Sequence, residues 1–188
     1  MKGVSKIYIL FAVMTLAAYI DGQTEPPAQL KDPLFVEFET RAKEYSRERE
    51  RLERELPPLA KKATPEEVMA HKEALRKAVQ QYRGGAKQGD IFLPEISQQL
   101  KVVIAAQLDG ADRVKLRKAV LEAENKAVQK RVNYPYPESQ EILEMPPTLL
   151  MILPQLPKQL RYRFVGRDLL LVDRENLLII DLMKDAVP

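Results

Sequence analysis

Apolar residues recur at helical spacing along the chain after residue 33. Between Leu34 and Leu56 they alternate three and four residues apart, and Arg49 stands at the one place where the apolar series is interrupted. This narrow apolar seam predicts a helix that packs against a partner helix. Pro57 and Pro58 predict where the helix ends, because proline does not fit a helix interior.

The second helix has a clear start signal. Thr64-Pro65-Glu66-Glu67 has the pattern of a capping box, with proline at the first helical position. Apolar positions then recur at helical spacing as far as Gly84-Gly85, which predicts the end of this helix. The simplest arrangement is two antiparallel helices.

A second helical pair follows. Leu93-Pro94 predicts the start of a helix that ends at Asp109-Gly110, and a further helical pattern runs from Asp112 to about Asn125. The first of these helices has an apolar side made of Ile96, Leu100, Val103, Ile104 and Leu108.

The pattern loses its helical period after Asn125. Val128 to Asn133 predicts a strand, and residues 134–137 cannot be helical because each proline makes the residue before it extended. Pro147 to Leu153 predicts a short apolar helix, and residues 154–157 predict a rigid connector.

The end of the chain predicts three strands in an antiparallel meander. They run from Leu160 to Val165, Leu169 to Val172 and Leu177 to Leu182, with turns at residues 166–167 and 174–176. The fold class is therefore α+β, with N-terminal helices followed by a small C-terminal meander.

The two-residue turn also predicts the register and the two faces of the sheet. Val165 should lie opposite Asp168, and Phe164 opposite Leu169. One face should then carry Tyr162, Phe164, Leu169 and Leu171, and the other Val165, Leu170 and Val172. The apolar runs predict that both faces are covered, one by the helix at Pro147 and the other by the N-terminal helices or a second subunit.

The N-terminus predicts export from a bacterial cell. Lys2 and Lys6 precede an apolar run that Asp21-Gly22 interrupts before it could span a membrane, which is typical of a signal peptide cleaved near Gly22. The predicted divisions are a signal peptide at 1–22, an extended leader at 23–33, a mainly helical region at 34–133, a proline-rich connector with a short helix at 134–159, and a meander packed on the helices at 160–188. We therefore expect a periplasmic or extracellular protein with no stable membrane anchor after cleavage.

Composition excludes several chemistries. The chain has no cysteine, which rules out disulfides, thiolate metal sites and a cysteine nucleophile. Because small secreted eukaryotic domains usually carry disulfides, this absence favours a bacterial envelope. Removing Lys2, Lys6 and Asp21 from the 30 basic and 27 acidic residues leaves 28 and 26, so net charge does not indicate nucleic acid as a partner.

One stretch is locally basic. Seven basic residues against three acidic ones could bind an acidic partner, anionic lipid or nucleic acid, but they spread around more than one helix face, so a solvated surface is the preferred interpretation. The basic residues are Arg113, Lys115, Arg117, Lys118, Lys126, Lys130 and Arg131.

No nucleophile, metal set or cofactor loop is apparent. The single histidine, His71, has no partner serine, because Ser46, Ser97 and Ser139 lie in no nucleophile-elbow context. The glycine-rich residues 84–90 lack the order of a phosphate-binding loop, which predicts a helix cap and a turn. We expect no catalytic, cofactor-binding or metal-binding residue and no cofactor.

Three aspartates in the meander are predicted to be structural. Asp168, Asp173 and Asp181 stand near strand ends, where aspartate commonly accepts hydrogen bonds from nearby backbone amides. Asp168 and Asp173 are five residues apart, so on a strand they should point to opposite faces.

Three segments resemble a group of uncharacterised exported bacterial proteins. They are Gln88-Gly89-Asp90-Ile91-Phe92, Met145-Pro146-Pro147-Thr148-Leu149-Leu150, and residues 160–173. Tyr162, Gly166, Asp168 and Leu171-Val172-Asp173 are also similar to the end of the periplasmic nickel/cobalt-homeostasis family. The second similarity covers about twenty residues and implies a shared hairpin element.

The leading hypothesis is an exported, non-enzymatic interaction or structural protein. Its expected partner is another protein or a second copy of the chain, bound through the helical seam or the meander, and not a nucleic acid. One alternative is a carboxylate-dependent hydrolase that uses Asp168, Asp173, Glu95 and Glu144. Another is an accessory factor in envelope or metal homeostasis, which the short terminal similarity suggests.

Overall fold

The computed structural model describes residues 32–109, 114, 118, 129–137, 145 and 147–187. The predicted signal peptide and leader, apart from their last two residues, and most of the helix expected between Asp112 and Asn125 lie outside these residues. The described elements confirm an α+β fold with N-terminal helices followed by a three-stranded meander. They are α1 (Pro33–Arg54), α2 (Pro65–Tyr82), α3 (Pro94–Leu108), α4 (Pro147–Leu150), β1 (Leu160–Val165), β2 (Asp168–Asp173) and β3 (Ile179–Met183).

Side chains cap the first turns of α1 and α2. The Asp32 carboxylate accepts a hydrogen bond from the Leu34 N–H at 2.9 Å, and Pro33 occupies the first turn of α1. The capping box of α2 is confirmed, because the Thr64 hydroxyl accepts from the Glu67 N–H and the Glu67 carboxylate accepts from the Thr64 N–H. Each cap satisfies backbone N–H groups that the first helical turn leaves without partners.

The meander has the predicted strand order and the predicted register in its first hairpin. Val165 lies opposite Asp168 and Phe164 opposite Leu169, and Gly166 adopts the positive φ of 60° that this tight turn requires. The third strand begins at Ile179, two residues later than predicted. Leu177 has a φ of 56°, which belongs to the preceding turn and delays the extended conformation.

The larger apolar core lies on the sheet face that carries Tyr162, Phe164, Leu169 and Leu171. The seam of α1 packs here as well as against α2 and α3, so its partner is a sheet and not only a helix. Phe38 of α1 places its ring 6.1 Å from that of Tyr162, in a stacked arrangement.

The opposite face has a smaller apolar cluster of its own. Val165, Leu170 and Val172 lie on it as predicted, together with Ile179 and Leu182 of β3. Val132 and Tyr136 cover this cluster. The expected placement of the helix at Pro147 on the face opposite the N-terminal helices is wrong, because Leu149 of α4 belongs to the larger core with α1.

Residues 129–137 replace a predicted strand with coil and turns. Of the strand predicted for Val128 to Asn133, residues 129–133 are described; they form coil and a turn, and Asn133 has a φ of 66°, outside the range of a strand. The chain then runs beside β3, where the Asn133 N–H donates to the Ile179 carbonyl at 2.8 Å and the Ile179 N–H donates to the Tyr134 carbonyl at 2.9 Å. This short pairing protects the outer edge of the meander.

No helix within the described residues is long and apolar enough to cross a membrane.

Candidate functional site

Asp173, at the end of β2, is fully buried and fully hydrogen-bonded. Its Oδ1 accepts from the backbone N–H groups of Glu175 at 2.9 Å and Asn176 at 3.2 Å. Its Oδ2 accepts from the Tyr45 hydroxyl at 2.7 Å and from Arg49 Nε at 3.3 Å. The predicted turn role is confirmed, and two side chains of α1 add to it. Four donors therefore occupy this carboxylate, which leaves little capacity for a substrate.

Arg49 is the polar residue that interrupts the seam of α1. Its side chain is 4% exposed, and besides Asp173 it bonds the carboxylates of Glu53 and Glu175. Burial by itself would lower the pKa of Arg49, but the three carboxylates raise it above the usual value. For Tyr45, burial and then the charge of Asp173 raise the pKa well above 10. The interruption of the seam thus marks a buried ion network.

Asp168 lies at the other end of β2 and on the opposite face. Its Oδ1 accepts from the Asp185 N–H at 2.9 Å, and its Oδ2 lies 2.7 Å from Lys130 Nζ. The prediction that Asp168 and Asp173 point to opposite faces is confirmed by these different partners. They cannot share a substrate or a proton.

Asp181 of β3 holds the loop between α2 and α3. Its carboxylate accepts from the N–H groups of Gly89 at 2.9 Å, Ile91 at 2.7 Å and Phe92 at 2.8 Å, and also from Leu182 at 2.7 Å. Burial raises the pKa of Asp181, although these four donors oppose the shift. The glycine-rich loop does surround an anion, but that anion is a carboxylate of the same chain.

The remaining sequence-derived candidates do not assemble a catalytic site. The Ser46 hydroxyl donates to Gln159 at 2.6 Å, and the Ser97 hydroxyl donates to the Phe92 carbonyl at 2.9 Å. Glu95 is exposed on α3, whereas Ser139 and Glu144 lie outside the described residues. Among the residues that the structure does describe, no group of three acidic or histidine side chains is placed to hold a metal ion.

Three members of the basic stretch are described. Lys130 bonds Asp168, and Arg131 donates to the Tyr134 hydroxyl at 2.9 Å and lies over its ring. Lys118 is exposed, and the other four basic residues lie outside the described part of the chain. The contacts of Lys130 and Arg131 are therefore with other residues of the chain.

Two open clefts flank residues 154–160. The first, which we call the polar cleft, has a volume of about 810 Å³. Both acidic and basic side chains line it. Three glutamates oppose four basic side chains in its lining, and His71 also lines it. Glu53 and Glu175 are bound to Arg49, so much of this charge is neutralised locally. Its lining residues are Arg49, Glu50, Glu53, Arg54, Leu56, Pro58, Leu59, His71, Lys158, Gln159, Arg174 and Glu175.

The second, the basic cleft, has a volume of about 660 Å³ and a different charge. Four of its lining residues are basic, and none of its described lining residues is acidic. The rest of the lining is mainly apolar. Its lining residues are Met145, Leu150, Pro154, Gln155, Leu156, Pro157, Lys158, Leu160, Arg161, Tyr162, Arg163 and Arg174.

Local structure places the basic side chains of this cleft. Arg161 and Arg163 are two residues apart on β1, so they project from the same sheet face. Arg174 follows β2, and its Nε donates to the Leu160 carbonyl at 2.8 Å. The Tyr162 hydroxyl donates to the Pro154 carbonyl at 2.9 Å and fixes the connector that forms one wall.

Arg161 differs from the structural arginine Arg49. Its Nε is buried without a hydrogen-bond partner. Burial and then the neighbouring charge of Arg174 lower the pKa of Arg161 below the usual arginine value. In the basic cleft, Arg161 therefore combines a buried N–H donor that lacks an acceptor with a like charge nearby.

One sequence signal indicates part of this cleft. Arg161 and Arg163 alternate with apolar residues on a strand, which places two cations on one face. Their convergence with Arg174 and the connector depends on the turn after β2.

No protein-family model, curated protein or solved structure matches the chain.

Proposed function

We propose that the chain is an exported, non-enzymatic binding protein. The observation that carries this proposal is that all three meander aspartates, the principal candidates for carboxylate chemistry, are bound by groups of the same chain. Asp173 and Asp181 each accept four hydrogen bonds, and Asp168 accepts from one amide and pairs with Lys130. Carboxylates held in this way serve the fold, and a general acid or base must instead reach its substrate.

Exposed apolar side chains near the basic cleft support a binding role. Leu150 is 50% exposed and lines this cleft, and its neighbour Met151 is 74% exposed. Apolar groups beside a concave, charged surface are typical of interaction sites. The seam of α1, in contrast, is buried within the chain, so this proposal places contact with a partner at the connector and the meander.

The location can be tested by cell fractionation. The full chain, with a C-terminal tag, is expressed in a bacterium, and the intact mass of the protein is measured in the periplasmic and cytoplasmic fractions. We expect a periplasmic product that begins close to Gln23 and has lost the positively charged and apolar segment. An uncleaved product confined to the cytoplasm would contradict the exported role.

Binding can be tested by cross-linking in envelope extracts, combined with light scattering of the purified mature chain. Met151→Lys removes an exposed apolar contact beside the basic cleft, and Met69→Lys is a matched control, because Met69 is 62% exposed on α2. We expect a cross-linked partner or oligomer that Met151→Lys weakens and Met69→Lys leaves unchanged. A strict monomer that yields no cross-linked species would count against this function.

A further inference from the structure

The basic cleft and the polar cleft share Lys158 and Arg174 but differ in charge balance. In the polar cleft, glutamates bind the buried guanidinium of Arg49. In the basic cleft, the described lining residues supply four cations and no carboxylate. A cleft whose charged lining has one sign, and whose walls have a low dielectric constant, attracts ions of the opposite sign. An external anion therefore has a clear electrostatic reason to enter the basic cleft.

Arg161 identifies where that anion would bind. A partly buried guanidinium is costly when its N–H groups lack acceptors, because it has lost water without gaining a bond. The Arg161 Nε is in this condition. A carboxylate or phosphate oxygen would supply the acceptor and would also reduce the repulsion between Arg161 and Arg174.

The walls of the cleft indicate what the anion is attached to. Leu156 is partly exposed in the lining and contributes apolar surface inside, and Leu150, which is 50% exposed, lines the cleft as well. A volume of about 660 Å³ falls within the range of small-molecule sites, which is roughly 300–1,000 Å³. A bare inorganic anion would use the cations and leave the apolar walls without a contact.

We propose that the basic cleft binds an anionic headgroup, a phosphate or a carboxylate, carried on an apolar chain, with Arg161 as the principal ion contact. The ligand is thus an anionic amphiphile, either free in solution or part of a lipid bilayer. This inference rests on the proposed binding role and names the chemical class of the ligand.

The first test is calorimetric titration of the mature chain with three probes. Decyl phosphate carries both features, inorganic phosphate carries only the charge, and decyl maltoside carries only the apolar chain. We expect decyl phosphate to bind at least about tenfold more tightly than either of the others, because a charge-assisted hydrogen bond adds to apolar burial. Equal affinity for decyl maltoside would overturn the assignment of an anion site.

Matched arginine variants locate the site. Arg161→Gln should weaken decyl phosphate binding about tenfold or more. Arg167→Gln removes the same charge from the exposed turn of the same hairpin and should leave affinity unchanged. Lys158→Gln, at an exposed lining position, provides a second reduction if Arg161→Gln fails to fold by circular dichroism. Equal affinities for the wild type and the folded cleft variants would overturn the proposal.

Two further readouts separate the possible outcomes. Sedimentation with phosphatidylglycerol vesicles that depends on Arg161 assigns the ligand to a bilayer, and binding of decyl phosphate without vesicle binding assigns a soluble amphiphile. Release of inorganic phosphate from decyl phosphate would contradict the non-enzymatic function while leaving the binding site in place. Binding without any dependence on Arg161 or Lys158 would overturn the site while leaving the non-enzymatic function in place.

Discussion

The two faces of the meander are built from the same three strands but are covered in different ways. Helices α1, α3 and α4 contribute to the core on one face, and that core contains a buried ion network around Arg49 and Asp173. The other face is covered by Val132 and Tyr136 from a segment without regular structure, and its charged pair, Lys130 with Asp168, is partly exposed. Position on a common strand therefore does not determine how strongly a side chain supports the fold. The elements that pack over that side chain determine its contribution to stability.

The largest expected difference concerns the aspartates at the two ends of β2. Asp173→Asn should lower the free energy of unfolding by about 3 kcal/mol, because it leaves the buried Arg49 with less negative charge and disturbs the bond from Tyr45. Asp168→Asn should cost about 1 kcal/mol, because the side chain of its partner Lys130 is 35% exposed and water can replace the ion contact. Urea unfolding at neutral pH measures both.

The two variants carry the same change in charge and size, so each serves as the control for the other. Equal losses of stability would contradict the proposed contrast between the faces. A larger loss for Asp168→Asn would show that the smaller face contributes more to stability than its covering suggests.

Local sequence signals predicted much of this architecture. The two-residue turn at Gly166-Arg167 determined the register of the first hairpin, since only one pairing follows from so short a loop. The capping box at Thr64 likewise predicted the start of α2 to the residue. Both features depend on residues within a few positions of one another, which is why a single sequence can reveal them.

A second comparison uses neighbouring leucines of β2, both fully buried. Leu171 faces the larger core and Leu170 the smaller cluster. We expect Leu171→Ala to cost about 4 kcal/mol and Leu170→Ala about 2.5 kcal/mol. The difference arises because the surroundings of a cavity relax into it to different extents. Helices that enclose the larger core should relax less than the irregular segment over the smaller cluster, so the cavity left at Leu171 should cost more. Urea unfolding measures both values, and Leu59→Ala, at a 40% exposed position, is the surface control.

This comparison would fail if Leu170→Ala proved the more damaging change. Such a result would mean that residues 129–137 pack as rigidly as the helices do. A change in the slope of stability against urea concentration, and not only in the midpoint, would instead indicate an altered denatured or native state or a loss of two-state unfolding.

The features that sequence reasoning missed all depend on contacts between distant residues. Arg49 visibly interrupts the apolar seam in the sequence, but its partner Asp173 lies in another element far along the chain. The loop at Gly89 was correctly interpreted as a turn, yet nothing near it in sequence indicated the carboxylate of Asp181. The basic cleft similarly needs β1, the turn after β2 and the connector to meet. Local patterns do not contain this information.

The smallest expected effect concerns ionisation of tyrosines that serve the two faces. The pKa of Tyr45, beside Asp173, is raised well above 10 by burial and by that negative charge. Burial also raises the pKa of Tyr136 on the smaller face, but the charges of Arg163 and Arg161 oppose the shift. Because an unfolded tyrosine ionises near pH 10, a raised folded pKa contributes stability that is fully present below about pH 10 and is lost as the pH rises towards the folded pKa.

Phenylalanine at either position removes this dependence on pH. Tyr45→Phe should be about 1 kcal/mol less stable than the wild type at pH 8, because the hydrogen bond to Asp173 is lost. Between pH 8 and pH 11 that deficit should shrink, since the wild type loses a contribution that the variant lacks. Tyr136→Phe should show the same trend to a smaller extent, and Tyr82→Phe, at a 54% exposed position, controls for the substitution itself. Urea unfolding at several pH values provides the data. A deficit for Tyr45→Phe that stays constant up to pH 11 would mean that this hydroxyl ionises as easily in the fold as in water, and the buried contact with Asp173 could not then be as close as 2.7 Å.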